Sequence, residues 1–434
     1  MPTDPRRPYD VLVVGAGPAG LAAAVSASEG GRRVGLVDDN PDLGGQIWRG
    51  ERPAPTGPVA ASWFRRAREA GFEALMGTRV VDRAGPGSLL AESDGRPVEL
   101  AYRALVLATG ARELFLPFPG WTLPNVVGAG GLQALVKAGL PIAGKAVVVA
   151  GSGPLLLAVA ASLRKRGAIV RSIAEQAPRG RLLRFGLGLW TEPGKLCQAV
   201  RLRIGLGGVP YRAGWWPAEA LGDGAVRAVT LTDGRATRTE DCDYLACGFG
   251  LVPNLELPAI LGCAFGTAST LVDDRQRTTV PDVYCAGEAT GIGGLDAALL
   301  EGEIAGLAAS GRPDGARALF RARDRARQFA RSMEAAFAPR DELRRLARPD
   351  TIVCRCEDVT AGALAGRTSW VDAKLQTRCG MGPCQGRICG GATGFLYGWP
   401  RGSIRPPIFP VGVASLAASR SADAAGQDPV GPPG

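Results

Sequence analysis

An α/β fold built on two Rossmann-like units, the second inserted into the first and followed by a small cysteine-rich domain, is predicted by three stretches of this sequence. Residues 9–24 and residues 144–154 each run from an apolar strand into a glycine turn, and the first continues into an alanine-rich helix. Residues 354–389 gather half of the chain's 10 cysteines.

The first stretch is the most explicit. The strand from Tyr9 ends in a G-x-G-x-x-G turn at Gly15, Gly17 and Gly20, with Pro18 and Ala19 between the last two glycines. Gly15 permits the tight turn, Gly17 lets a pyrophosphate approach the backbone, and Gly20 lets the helix pack closely on the strand. The helix N-terminus then faces the phosphates. A second strand, residues 33–37, runs into Asp38 and Asp39, near the spacing expected of the acid that binds a ribose hydroxyl. A plain connecting turn would need none of these features, so a bound dinucleotide is the expectation.

The pattern repeats at Gly151 and Gly153, followed by a strand over 169–174 that closes on Glu175. Here Leu156 takes the place of the third glycine, which alters helix packing or phosphate approach. Glu175 favours a ribose diol over a 2′-phosphate, whereas the basic run from Arg179 to Arg184 suits either a phosphate or a solvated loop. NAD(P), another adenine nucleotide and a vestigial, ligand-free unit all stay open for this second site.

Composition narrows the remaining classes. A chain of 434 residues has room for two or three domains, and 46% hydrophobic with 21% charged residues is globular. No run approaches the roughly 18 consecutive apolar residues of a membrane-spanning helix. Residues 1–8 lack the apolar core of a secretory signal, so a cytoplasmic location is expected, with peripheral membrane association left open. The net charge of +10 is spread along the chain without a nucleic-acid-binding motif, which argues for an anionic cofactor or acidic protein partner and against nucleic acid. There is no histidine, hence no imidazole base or metal ligand.

The cysteines sort into two groups. Cys197, Cys242, Cys247, Cys263 and Cys285 are scattered, and no Cys-x-x-Cys or Cys-x4-Cys pair sits beside the nucleotide motifs, which argues against a disulfide reductase. Cys354 and Cys356 are separated by one residue, and Cys379, Cys384 and Cys389 follow about twenty residues later. Four soft thiolates in this arrangement suit zinc or an iron-sulfur cluster, and zinc is less persuasive on spacing.

Several of these segments resemble those of two-domain flavin reductases. Gly44-Gly45-Gln46 with Ile47, Trp48 and Arg49 resembles the loop lying along the isoalloxazine and pyrophosphate. Ala108-Thr109-Gly110 resembles the "ATG" signature. Gly287-Glu288, followed by a helix from Leu295, resembles the segment in which an acid holds a ribityl hydroxyl and a helix N-terminus faces the flavin pyrimidine edge. The resemblance implies FAD in the first unit, with Gly45, Gln46, Ala108, Thr109, Gly110, Gly287, Glu288 and Leu295 as contacts, and Val80 is included among them.

The motif Cys-Arg-Cys-Glu-x-Val-Thr, with Gly-Met-Gly-x-Cys-Gln-Gly-x-x-Cys, resembles the bacterioferritin-associated-ferredoxin-like [2Fe-2S] domain. The whole order of motifs, over residues 9–412, resembles the alpha subunit of heteromeric FAD-dependent amino-acid dehydrogenases of the opine oxidase, hydroxyproline dehydrogenase and hydrogen cyanide synthase type. The resemblance implies Cys354, Cys356, Cys384 and Cys389 as cluster ligands, with Cys379 paired with Cys384 as the alternative. It also implies two partners, a second FAD-containing oxidase-like subunit, joined by a small ferredoxin-like one.

The expectation is therefore an α/β two-dinucleotide-binding-domain flavoprotein with a small C-terminal iron-sulfur domain. Its parts are an FAD-binding domain (1–119 and 241–310), a second dinucleotide-binding domain (120–240), a helical connector (311–349), a cluster domain (350–397) and a tail (398–434) whose end, 419–434, is expected to lack order. The leading function is electron transfer within a dehydrogenase or oxidase acting on the C–N bond of an opine, proline-like imino acid or glycine. A self-sufficient NAD(P)H-dependent reductase and a nucleotide-gated scaffold with structural FAD are the other readings.

Overall fold

The structure, a computed structural model, describes residues 7–55, 57–400 and 404–417. The 419–434 segment lies outside the described residues. The chain forms two compact units: Met1–Ala111 with Pro253–Ala330 and Ser403–Gly434, and Arg112–Val252 with Arg331–Gly402. The first part of the second unit interrupts the first unit in sequence, as the repeated glycine motif predicts.

In the first unit, Tyr9–Val14 lies between Val34–Asp38 and the long strand Arg96–Leu107, parallel to both. Glu73–Met76 extends one edge, and Val283–Cys285 pairs with the end of Arg96–Leu107, also in parallel. Val11, Leu12, Val13, Leu105, Val106 and Leu107 are fully buried, as strands covered on both faces must be. The antiparallel strands Thr78–Gly85 and Ser88–Ser93 pair off the first half of Arg96–Leu107.

The helix Pro18–Ser28 packs on the helix Gly294–Ala309 at backbone distance. A Cβ on Gly302 would lie 2.0 Å from the Ala19 carbonyl oxygen, and one on Gly306 would lie 2.3 Å from that of Ala23. The alanines of the first helix and the glycines of the second are what allow this approach.

In the second unit, five parallel strands run in the order Tyr211–Ala213, Ile169–Glu175, Ala146–Gly151, Tyr244–Gly248, Val126–Gly128. A three-stranded antiparallel sheet, Trp216–Leu221, Ala228–Thr232 and Thr237–Asp241, lies in sequence between Tyr211–Ala213 and Tyr244–Gly248. The same unit holds the cysteine-rich segment, with a short antiparallel pair, Ile352–Cys354 and Val359–Thr360, and the helices Trp370–Thr377 and Cys389–Tyr397.

The expected helical connector, 311–349, is not one continuous helix. A continuous helix covers only Arg317–Phe337, flanked by single 3-10 turns at Pro313–Ala316 and Asp341–Arg345. Pro339 explains the stop: it lacks an N–H and disfavours helical geometry at Ala338.

Because Gly302 touches backbone, Gly302→Val is expected to lower the thermal unfolding midpoint, at an overpacking cost of about 1–3 kcal/mol or more. A melt followed by circular dichroism that showed no change would contradict the close contact.

Candidate functional site

The first glycine turn lies at the C-terminal edge of the parallel strands, where open α/β sheets bind their ligands. Gly15 has φ +106°, and a Cβ there would sit 2.2 Å from the Ala108 carbonyl oxygen. A Cβ on Gly20 would fall 1.7 Å from the Gly15 oxygen, so both positions demand glycine. At Gly17 the nearest atom to a Cβ is the Cα of Gly45, 4.0 Å away, and the helix beginning at Pro18 has no side-chain cap and no acid in its first turn. Its positive end is thus available to a phosphate.

Asp38 closes the floor of this cradle. Its Oδ2 accepts from the Ala16 N–H at 2.5 Å, while Oδ1 accepts from the Asn40 N–H at 2.8 Å and from Nδ2 at 2.6 Å. Asp39 points outward to Arg79, 3.4 Å away. Gly45 lies against Gly17, and Gln46 on the exposed side of the same loop accepts from Arg49 at 3.0 Å. Val80 is buried in the strand Thr78–Gly85, opposite Ala91.

Two parts of the cradle depend on residues without any motif. Asn254 fixes the Ala108-Thr109-Gly110 turn: its carbonyl oxygen accepts from Thr109 Oγ1 at 2.7 Å, its Nδ2 donates to the Thr109 oxygen at 2.9 Å, and its N–H donates to the Gly110 oxygen at 3.0 Å. Glu301, buried on the helix Gly294–Ala309, accepts from the Gly287 N–H at 2.9 Å, from Thr290 Oγ1 at 2.7 Å and from Arg327 Nε at 2.7 Å. Arg327 also donates to Gln276 Oε1 at 2.9 Å, and Gln276 donates to the Cys285 oxygen at 3.2 Å.

Glu288 occupies the end of that turn. Its two oxygens accept from the Gly293 and Gly294 N–H groups at 3.1 and 3.0 Å, at the start of the helix that includes Leu295. Burial raises its carboxyl to about 7. It therefore anchors the helix N-terminus that the sequence motif directs toward a flavin.

In the second unit, Gly151 and Gly153 also have positive φ, +136° and +101°. A Cβ on Gly151 would meet the Gly248 oxygen at 1.9 Å. Leu156 is buried in the core beneath the helix Leu155–Lys165, where the first unit has a bare glycine. Glu175 is fully buried, with Oε2 accepting from the Gly153 N–H at 2.7 Å and Oε1 from the Ala177 N–H at 2.8 Å. Burial raises it to about 7 as well.

All five C-terminal cysteines converge. The thiols of Cys354, Cys379 and Cys389 lie within 4.8 Å of one another. Cys384 forms hydrogen bonds with both Cys389 and Cys356. Hydrogen bonds from Cys379 and Cys389 pull Cys354 down to about 2, and Cys389 is the main cause of the fall of Cys384 to about 5. Thiols this close can exchange their protons for a soft cation.

The loop around these thiols is shaped by glycine. Gly380 and Gly386, both at positive φ, wrap the Trp370 indole, to which a Cβ at either would approach within 2.5 and 2.7 Å. Gly382 lies against Cys356, 2.3 Å from Cβ to Cβ were a side chain added. Arg112 Nε donates to the Arg387 oxygen at 3.0 Å, and Trp121 Nε1 to the Ile352 oxygen at 2.6 Å.

A family model for pyridine nucleotide-disulphide oxidoreductases matches residues 9–305. The chain belongs to that family. It is 33% identical to hydrogen cyanide synthase subunit HcnB of Pseudomonas aeruginosa, over 92% of this chain and 96% of the relative. It is also 33% identical to an opine oxidase subunit of Rhizobium meliloti, over 94% of this chain and 98% of the relative. These are the relatives to which the cysteine and flavin motifs pointed. Among solved structures, an L-proline dehydrogenase from P. horikoshii shares the fold with a TM-score of 0.67 at 20% identity, over 94% of this chain and 79% of that one.

As a member of this family, the chain is an FAD-dependent oxidoreductase, and the first cradle fits the cofactor. The glycine floor, the uncapped helix start and the two carboxylates Asp38 and Glu288 match the phosphates and hydroxyls of FAD in charge and hydrogen-bonding type. Despite the family's name, four of the five thiols outside the C-terminal group are ill suited to redox work: Cys242, Cys247, Cys263 and Cys285 are buried, and burial raises the pKa of each, while Cys197 is exposed.

Arg327→Met is expected to strip Glu301 of its counter-ion, to cost about 3 kcal/mol, and to reduce FAD retention on gel filtration, with Arg327→Lys restoring part of it. A variant that keeps full FAD and an unchanged melt would contradict the role. Glu175 supplies a second test. Its folded pKa, about 7, lies above the ordinary value of 4.5, so its contribution to stability is complete below pH 4.5 and lost as pH rises through 7. The urea midpoint is expected to fall across that window, with a shallower fall in Glu175→Gln; an identical profile in both would contradict this.

Proposed function

We propose that this chain is the FAD- and [2Fe-2S]-containing electron-transfer subunit of a heteromeric dehydrogenase or oxidase that acts on the C–N bond of an amino or imino acid. Opines, proline-like imino acids and glycine are the substrate classes. The observation that carries the reading is the grouping of the Cys354, Cys379 and Cys389 thiols within 4.8 Å, with Cys384 and Cys356 adjoining them, on a chain that also has an FAD cradle. The end-to-end similarity to HcnB and to the opine oxidase chain, both named as subunits, supports it.

Asp38 and the first glycine turn would hold the adenosine and pyrophosphate of FAD, and the Gly287-Glu288 turn its ribityl and flavin end. Cys354, Cys356, Cys384 and Cys389 would hold the cluster. When bound, FAD supplies a two-electron acceptor that can release electrons singly, and a [2Fe-2S] centre accepts one at a time. The chain's own part is to orient these groups and exclude water. Trp370 packs with the buried Cys354 and Cys389, and Glu301 with Arg327 keeps the Gly287 N–H and the Thr290 hydroxyl fixed.

The absence of histidine fits a chain that relays electrons while proton transfer at the substrate falls to another polypeptide. The partners are a small ferredoxin-like subunit together with a second, FAD-containing oxidase-like one.

Coexpression with the oxidase-like partner, followed by an anaerobic amino-acid screen with an artificial dye, is expected to give turnover and reduction of this chain's flavin by one substrate class. Turnover without reduction of this flavin would refute the relay. The ligand set is tested by replacing single cysteines and recording visible absorption. Cys389→Ser is expected to bleach the cluster bands while Cys379→Ser retains them; the reverse would give that position to Cys379, paired with Cys384.

A further inference from the structure

The second glycine turn has its own chain as a neighbour. The helix Arg317–Phe337 ends beside it, and Phe337 belongs to the same compact unit as the turn. Ser152, between the two glycines, donates its hydroxyl to the Phe337 carbonyl oxygen at 2.6 Å. Gln176, fully buried and next to Glu175, donates Nε2 to Ser152 Oγ at 2.9 Å, to the Phe337 oxygen at 3.2 Å and to the Ala338 oxygen at 3.3 Å. Its Oε1 accepts from the Arg340 N–H at 3.1 Å.

Surface contacts seal the same segment. Arg181 Nη1 donates to the Ala338 oxygen at 3.2 Å, and the Phe185 and Phe337 rings meet edge to face at 5.3 Å. Arg181 and Phe185 lie on the helix Arg179–Gly188, so the basic run that suited a phosphate is partly committed to a backbone carbonyl.

The turn's own donors are also engaged. The Ser152 N–H donates to the Gly248 oxygen at 2.7 Å, the Gly153 N–H goes to Glu175, and Pro154 has none. Glu175 is held by two backbone N–H groups. The carbonyls of Phe337 and Ala338, at the negative end of a helix dipole, face the part of a Rossmann unit that otherwise attracts an anion. The first unit differs at the matching position, where Ala16 has no hydroxyl with which to hold such a segment.

We propose that residues 337–340 are the resident occupant of the second cradle, and that Ser152 and Gln176 are the specificity-determining residues that keep them there and exclude pyridine dinucleotides and other adenine nucleotides. The inference stands on the second unit alone and holds whether or not the electron-transfer reading does. NAD(P)H is then not the reductant of this flavoprotein, and its reducing equivalents come from a reaction that reaches the flavin by another route.

The test uses the FAD-loaded full chain, with NADH and ADP as probes in calorimetric titrations, and the double variant Gln176→Ala/Phe337→Ala. The wild type is expected to bind neither probe at millimolar concentration, and the variant to bind ADP at least about tenfold more tightly. Micromolar binding by the wild type would overturn the proposal, as would a folded variant that still fails to bind. Should the double variant not fold, Ser152→Ala takes its place. In the wild type, amide hydrogen exchange gives an independent reading: Arg340 is expected to be protected and unaffected by ADP, and an unprotected Arg340 would contradict the latch.

Discussion

The flavin cradle depends on two helices meeting without side chains between them. Gly302 and Gly306 on one face Ala19 and Ala23 on the other, and this contact brings together two cofactor motifs more than two hundred and fifty residues apart in sequence. Gly287 completes the junction, since a Cβ there would lie 2.7 Å from the Ala19 Cβ. With the helices at this distance, the phosphate-type turn at Gly15–Gly20 and the Gly287-Glu288 turn become one site. Any larger residue along the seam would separate them, and the hydrogen bonds of Glu301 would then hold a turn in the wrong place.

The two Rossmann units show how one local pattern can serve different ends. Both end their second strand in an acid that accepts N–H bonds from the glycine turn, Asp38 in one and Glu175 in the other. The first keeps a bare glycine where the helix crosses the strand, and its helix start is open. The second packs Leu156 into the core and places Ser152 where it can hold a carbonyl. The difference is a few side chains, but it changes an anion-accepting edge into a structural one. The second unit also carries the cysteine-rich segment, tied to it through Trp121, Arg112 and the Arg348–Glu219 ion pair at 3.2 Å.

Features with fixed spacing were legible in the sequence: both glycine turns, the acids that close their second strands, the insertion of one unit in the other and the crowding of cysteines. Features that join distant residues were not. Asn254, Gln276, Glu301 and Arg327 have no motif, because a buried polar network is defined only once the chain has folded. An acid on a largely apolar helix, as Glu301 is beside Asp296 and Glu303, was the one available hint. The motif places Glu288 at a ribityl hydroxyl, and the structure shows what its carboxylate holds within the protein, the start of a helix. The stop at Phe337 follows from Pro339, a signal present in the sequence. The place of Cys379 beside Cys354 and Cys389 could not follow from spacing, since five thiols in two short segments allow several groupings of four.

The central claim is that the thiol pocket is a redox centre in the same chain as the flavin. Iron, acid-labile sulfide, zinc and FAD measured on anaerobically purified protein test it most directly. The expected result is about two irons and two sulfides for each FAD, with absorption and paramagnetic resonance of a [2Fe-2S] centre on reduction. Stoichiometric zinc without sulfide would contradict it, leaving a structural metal site where an electron relay is required.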